Sequence, residues 1–274
     1  MASVRRLHFD AVIAFGPLHL ACFFLLWVPF KWSYLAWLVG TYAIRMFGVT
    51  AGYHRYFSHR AYKLGRVSQF LMGFLAETSA QKGVLWWSAH HRTHHRYSDT
   101  VGDPHSPARY GFWWSHIGWI VSQTSESYDR RMMQDFEKYP ELRLMNRYHR
   151  VPAMLFGAAV FAIGGFGVFM WGFVLSTVLL WHGTFTINSL AHLWGSRRFE
   201  TKDDSRNNFL LALITLGEGW HNNHHQYMSS ARQGLKWWEI DMTYYVLRSL
   251  SAIGIVRDLR DMPATAQVRT GVPI

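Results

Sequence analysis

A single cysteine, Cys22, occurs in the 274 residues. That excludes a disulfide framework and an iron–sulfur cluster built on this chain's own thiolates. Carboxylates are sparse as well: 17 Asp and Glu stand against 28 Lys and Arg, for a formal net charge of +11. The H-E-x-x-H pattern of helical zinc peptidases is missing. So is the set of Glu and Glu-x-x-His ligands used by soluble di-iron bundles. No repeat at a fixed period, low-complexity tract or long linker divides the chain, so one domain over residues 1–274 is expected.

Charge is missing altogether from long stretches. Residues 11–30 carry no Asp, Glu, Lys or Arg, the length a helix needs to cross roughly 30 Å of hydrocarbon. In residues 32–53 the one charge is Arg45, and residues 151–194 are 44 positions without any. The last stretch has room for two spans, joined by a turn around Gly164 to Gly172. Four transmembrane helices are therefore expected, at about 11–30, 32–53, 151–172 and 173–194. Core helices of a soluble protein are the alternative, but soluble cores rarely run uncharged beyond about 14 residues. The first block follows MASVRRLHFD without a small-residue cleavage site, so it reads as a retained anchor rather than a signal peptide.

The basic residues fall outside these blocks. Fourteen lie in residues 54–150, ten in 195–274 and two near the start, while Lys31 sits in a short turn and Arg45 in a span. That asymmetry places the basic segments and both termini in the cytoplasm. It suits an anionic membrane surface rather than nucleic acid. Residues 54–150 and 195–262 would then form a cytoplasmic cap, with a loosely ordered tail at 263–274. Residues 67–87 are apolar, but Glu77 and Lys82 interrupt them. If they crossed the membrane they would part YHRYFSH from HHRTHH, so they read as a helix lying in the interface.

Histidine is what the chain has in plenty: 16 residues, four of them within WWSAHHRTHH. His54 and His59 form one cluster, His91, His94 and His95 a second, and His221, His224 and His225 a third. In the last two, the i, i+3, i+4 spacing gathers three imidazoles on one helical face. His192 ends the fourth span, with Asn188 one turn earlier. Nine imidazoles and an amide thus converge at one membrane face. Imidazole suits several metals, but nine nitrogens exceed one tetrahedral zinc and fit two ions. Of the other histidines, His8 and His149 read as interfacial. His19 and His182 lie in spans, where a polar side chain must face a partner. His90, His105 and His116 read as outer donors that orient ligands.

The stretches GVTAGYHRYFSHRAYK, HRTHH, DPHSPARYGFWWSHIGW, NSLAHLWG and GEGWHNNHH carry a resemblance. From about Tyr42 to Asp258 the chain is similar to the membrane fatty-acyl desaturases, in particular the stearoyl-CoA (delta-9) branch. The resemblance implies an all-α integral membrane protein of the cell's inner membrane: four spans under a cytoplasmic helical cap that encloses two irons. It implies as metal ligands His54, His59, His91, His94, His95, His192, His221, His224 and His225, with Asn188 acting through water. The implied reaction uses molecular oxygen to place a cis double bond, at the delta-9 position, in a saturated long-chain acyl substrate, chiefly acyl-CoA. Gln81, Trp87 and Thr184 match residues that fix a bend in the family's acyl tunnel, and Tyr42 and Met46 match residues that close its far end.

One stretch departs from the pattern. Animal relatives carry basic residues soon after the GW of SHxGW, near the CoA phosphates, whereas here IVSQTSES has Gln123 and Thr124. Arg130, Arg131, Arg143, Arg147 and Arg150 lie further on, able to meet phosphates or to form a solvated face. Electrons must come from an outside carrier, ferredoxin-like or a b-type cytochrome, with an NAD(P)H reductase. A membrane hydroxylase would use similar boxes. A metal transporter would hold its ligands near the bilayer midplane, not at span ends.

Overall fold

The computed structural model describes residue 7 and residues 9–263, and all regular structure among them is helical, joined by a few isolated bridges. His8 and the tail from 264, each given a role above, lie outside the described residues. The α-helices are α1 Phe9–Ala21, α2 Trp32–Phe47, α3 Arg66–Glu77, α4 Val84–Tyr97, α5 Pro107–Tyr110, α6 Gln134–Glu137, α7 Pro140–Arg147, α8 Arg150–Phe169, α9 Ser176–Asn188, α10 Phe209–Ile214, α11 His221–Gln226 and α12 Met242–Ala252. A 3-10 stretch, Cys22–Trp27, extends α1, and a π-helical stretch, Gly48–Ser58, extends α2 without a break.

One helical run among the described residues, Arg150–His192, is long and apolar enough to cross a membrane, and Phe15–Trp27 is a shorter apolar helix. Straight, the long run would reach roughly 65 Å, about twice the hydrocarbon thickness. It does not stay straight. Gly165 adopts φ 68° and ψ −166°, outside the helical region and costly for any residue with a Cβ. The chain doubles back there, so that Phe156 meets Phe173 and Phe161 meets Phe169 at ring separations of 6.4 and 5.8 Å. The turn therefore falls at Gly165, inside the Gly164 to Gly172 stretch where the sequence places it. Large apolar side chains such as Leu20, Phe23, Leu26, Met154 and Ile163 are exposed on the outer faces of α1 and this hairpin. A surface of that kind marks a membrane or protein contact.

Polar side chains tie these helices together. Arg45 is buried and donates to Thr177 Oγ1 and Ser176 Oγ, both at 2.6 Å, and to the Thr41 carbonyl. His19 Nε2 meets His182 Nε2, and His182 Nδ1 meets His116 Nε2, each at 3.0 Å. His116 Nδ1 lies 3.0 Å from Ser189 Oγ. His116 thus spends both nitrogens on this chain of contacts and orients none of the clustered histidines.

The start of α4, which carries HHRTHH, is fixed from a distance. Its first three N–H groups have no local cap and donate elsewhere: Val84 to Glu77 Oε1, Leu85 and Trp86 to Asn146 Oδ1, at 2.9 to 3.0 Å. Glu77 is wholly buried, and burial pushes its carboxyl up to about 8. It is protonated in the folded protein near neutrality, whereas the unfolded chain loses that proton near pH 4.3. Folding binds a proton in between, so this group's stability is full at acid pH and is lost as pH rises toward 8. Glu77→Gln keeps an acceptor and removes the titration. From about pH 5.5 to 8.5 the wild-type melting temperature should fall more than the variant's; parallel curves would assign the decline to another group.

A candidate di-metal centre

The spacing of the first histidine pair makes sense only on its own kind of helix. On an α-helix five residues advance about 500°, leaving His59 roughly 140° round from His54. Gly48–Ser58 is π-helical, and His59 N–H donates to the His54 carbonyl at 3.2 Å. Bonds from i+5 to i bring five residues close to one full turn. Both rings therefore point the same way. α4 supplies His91, His94 and His95; α11 supplies His221, His224 and His225; a 3-10 turn, Leu190–His192, supplies His192.

These nine side chains sort into two groups: His54, His59, His91, His95 and His224, and His94, His192, His221 and His225. Within each, the offered ligand atoms all lie within 4.8 Å of one another. In the first, Nε2 atoms approach pairwise at 2.9 to 3.0 Å: His54 with His224, His59 with His91, His95 with His224. In the second, His192 and His221 meet at 3.1 Å, and the buried His225 Nε2 has no hydrogen-bond partner. Two imidazoles share one N–H···N bond; five nitrogens cannot be sorted into such pairs, and in the group of four His225 Nε2 is left over. A cation with Nε2 ligands at about 2.1 Å satisfies them together. The rings are also in the right state. Burial first, and then neighbouring histidines, hold His59, His91, His95, His221 and His224 well below the usual imidazole range. Neutral imidazole is the form that binds metal.

Four carboxylates stand behind the rings. His54 Nδ1 lies 2.5 Å from Glu218, His94 Nδ1 3.0 Å from Asp103, and His192 and His225 Nδ1 each 2.8 Å from Asp99 and Asp203. Each fixes the proton on Nδ1 and leaves Nε2 for the centre, as in the carboxylate–histidine–metal arrangement. Burial alone would raise these carboxyls, yet bonds from His192, His94 and His225 hold Asp99, Asp103 and Asp203 well below the usual range. Burial lowers His94 too, but Asp103, Asp99 and Asp203 more than offset it. The groups differ: three of four rings in the second are carboxylate-backed, and in the first only His54 is. No local spacing marks these acids as partners of the rings, although Asp103 and Glu218 stand inside DPHSP and GEGW.

Of the expected outer histidines, His105 stacks on His94 at 4.5 Å and lies 3.8 Å from Asp103. His90 Nδ1 is bonded to the Trp86 carbonyl. Asn188 lines a small cavity, ≈ 30 Å³, with His54, His91, His94 and His221. It also lines a larger one of ≈ 490 Å³, with His91, Gln81, Trp87 and Thr184 at that end and Phe15, Leu18, Phe173 and Trp181 further along. Where the two meet, Gln81 Nε2 donates to Thr184 Oγ1 at 3.0 Å and Trp87 Nε1 to Gln81 Oε1 at 3.3 Å. Gln81 sits between Ala80 and Lys82, whose φ values of 56° and 70° are rarely adopted by residues with a Cβ. Tyr53 Oη on the Lys82 carbonyl and Trp181 Nε1 on the Ser79 carbonyl pin that strained loop. Met46 is 1% exposed and lines the small cavity. Tyr42 Oη donates to the Ile214 carbonyl. Both face Gly183, where a Cβ would stand 2.6 Å from Tyr42 Oη and 3.2 Å from Met46 Cε.

Residues 29–254 match the family model described as fatty acid desaturase. The palmitoyl-monogalactosyldiacylglycerol delta-7 desaturase of Arabidopsis thaliana is 36% identical over 269 residues, 96% of this chain and 71% of that protein. The icosanoyl-CoA 5-desaturase of Limnanthes douglasii is 36% identical, covering 97% of this chain and 73% of its own length. The sn-2 palmitoyl-lipid 9-desaturase of Nostoc sp. (strain 36) is 34% identical, with 94% and 92% covered. With two imidazole groups, one buried and one partly buried, beside an apolar cavity and similarity of this extent, the chain belongs to the fatty acid desaturase family of membrane-bound, iron-dependent oxidoreductases.

Proposed function

We propose that the enzyme places a cis double bond, at the delta-9 position, in a saturated long-chain acyl group, using two irons and molecular oxygen. The observation that carries this reading is the junction of the two cavities at Asn188, His91, Trp87 and Thr184, beside both histidine groups. The nine histidines would hold the irons, with Asn188 acting through water, and the irons would supply the oxidant that unactivated methylene C–H bonds require. The rest falls to the protein. Apolar walls hold a chain that offers no polar handle near the reacting carbons. The locked Gln81–Thr184–Trp87 contact fixes a bend there, so hydrogens leave from a kinked chain and the product is cis. Glu218, Asp99, Asp103 and Asp203 keep protons on Nδ1 atoms and out of the centre.

Reducing power would come from a separate ferredoxin-like or b-type cytochrome carrier and its NAD(P)H reductase. The test is expression in a host unable to make unsaturated fatty acids, with lipid analysis to locate any new double bond. A host that stays without one, despite iron-loaded protein, overturns the reading.

We also propose a single domain over residues 1–274 in the cell's inner membrane: four spans, with residues 54–150 and 195–262 as a cytoplasmic cap and both termini on that side. The charge-free blocks and the hairpin at Gly165 support it. Cysteines introduced near Tyr128 should label only from the cytoplasm, and labelling from outside would sink this topology.

Met46 should set chain length. Each further buried methylene gains about 0.8 kcal/mol, but overlap at a closed end costs roughly 1–3 kcal/mol. A sixteen-carbon chain should therefore be preferred over an eighteen-carbon one, although methionine flexes more than most side chains. Met46→Ala, assayed with both chains in competition, should shift the ratio toward the longer; an unchanged ratio in active enzyme leaves Met46 a packing residue.

A further inference from the structure

Aromatic rings stack outward from the histidine centre, and the function proposed above gives them no part. We infer that Trp119 and Trp86 form a protective electron relay, which returns the centre to rest when oxygen has been used with no acyl chain in place. The inference rests on the reading of this site as an oxygen-using desaturase.

The relay begins at a ligand of the second group. His105 stacks on His94 with ring centres 4.5 Å apart, and Trp119 lies 4.9 Å from His105. Trp86 stacks on Trp119 at 5.8 Å, with the planes 10° apart. All four side chains are buried. Trp86 Nε1 then donates to the Ser125 carbonyl at 2.6 Å, in the turn Gln123–Ser125, where Gln123 and Thr124 are exposed. Each step is a contact between rings, and the run leads from the ligand shell to just beneath the surface.

Trp119 is suited to lose an electron and take it back. Its Nε1–H is buried and finds no acceptor among the described residues. An orphaned donor of this kind is costly and calls for an explanation. An oxidised indole that sheds this proton goes on to irreversible products. Here nothing receives the proton, so it stays and one electron restores the ring. Lys82 Nζ, 5.3 Å over the Trp86 ring, disfavours a second positive charge there. The vacancy therefore rests on Trp119 and crosses Trp86 only on its way out.

The other stack leaving the centre stops short. Trp87 lies 5.2 Å from both His91 and Tyr53, but Tyr53 Oη donates to the Lys82 carbonyl. A phenol holds such a vacancy only by giving up its proton, and a peptide carbonyl is an acceptor that does not take it.

The electrons balance. With an acyl chain bound, one oxygen molecule takes two electrons from the carrier with two protons, and two hydrogen atoms from the chain, and leaves as two waters. Without the chain, Trp119 supplies the second pair of electrons one at a time, and solvent supplies the two protons. The external carrier returns each electron through Trp86, so two waters again leave and no residue stays oxidised.

In the test, iron-loaded enzyme is reduced with dithionite, freed of the excess, mixed with oxygen without acyl chains and frozen at intervals. Electron paramagnetic resonance should show an indole radical that narrows with ring-deuterated tryptophan and is missing from Trp119→Phe. Trp86→Phe should keep the signal and prolong it once reduced carrier is added, since the return path is cut. Mass spectrometry of wild-type enzyme after repeated cycles without carrier should find oxidised Trp119 and Trp86 but intact Trp87, a readout that needs no variant. No indole signal, a signal that survives Trp119→Phe, or oxidation confined to Trp87 overturns the inference. The same preparation is also given reduced carrier and palmitoyl chains, as the coenzyme A thioester and as phosphatidylcholine. A double bond without the radical removes the relay alone. The radical without a double bond leaves the relay standing and removes the reaction assigned to the site.

Discussion

His94→Ala should abolish desaturation and strip metal from the centre while the protein still enters the membrane. His94 is buried, its Nδ1 is held by Asp103, and its ring packs on His105 and meets His192 and His225 edge-on at 5.2 and 5.3 Å. Alanine removes one of four nitrogens from its group and leaves Asp103 facing a void. The remaining three rings of the group already point inward. Asp103→Asn should do less, on the order of 10 to 100-fold in metal affinity or activity, because it weakens the orientation of a ligand that is still present. Metal analysis of purified protein alongside product analysis checks both, with about two irons per chain expected in the wild type. Full iron and activity in His94→Ala would overturn the ligand assignment, and zinc alone in the wild type would favour a transporter.

Arg55→Met should be the most destabilising change outside the ligands. The Arg55 guanidinium is 1% exposed and bridges Glu218 at 3.1 Å and Asp241 at 2.9 Å, while Nη1 donates to the Ala231 carbonyl at 2.6 Å. Methionine fills much of the volume but leaves two buried carboxylates facing each other. Breaking a buried pair from one side costs about 3–5 kcal/mol, which at this chain length lowers the melting temperature by roughly 6–20 °C. The exposed Arg130 pair is the control, and Arg130→Met should melt with the wild type. Thermal denaturation in detergent decides the matter; if Arg55→Met melts with the wild type, the buried pair contributes nothing to stability. The damage would spread, since Glu218 also holds His54 and accepts from Gln233 at 2.9 Å.

Local patterns made much of this legible. Charge-free blocks marked the apolar helices, and H-x-x-H-H marked the faces of α4 and α11, because both signals lie within a few turns. What stayed hidden depends on distance along the chain. Glu218 serves His54 across 164 residues and Asp99 serves His192 across 93, and no spacing rule reaches that far. His116 stands in a tryptophan-rich motif and reads as an outer donor to the ligands, yet its ring nitrogens meet His182 on α9 and Ser189 just beyond it. The glycines between 164 and 172 mark where the chain turns but not which of them does it, because they look alike in sequence and only Gly165 takes the positive φ.

The π-helical stretch has a genetic corollary. A π-turn differs from an α-turn by one residue, so a one-codon deletion within Gly48–Ser58 would let the rod relax into an ordinary α-helix. With the loss before His54, the pair would keep its five-residue spacing on an α-helix, and His59 would swing about 140° away from His54's side. Conservative exchanges along the rod can be absorbed by neighbouring side chains; a change of length cannot. Among descendants of this gene, the reading frame's count of residues between Gly48 and His59 should drift more slowly than their identities.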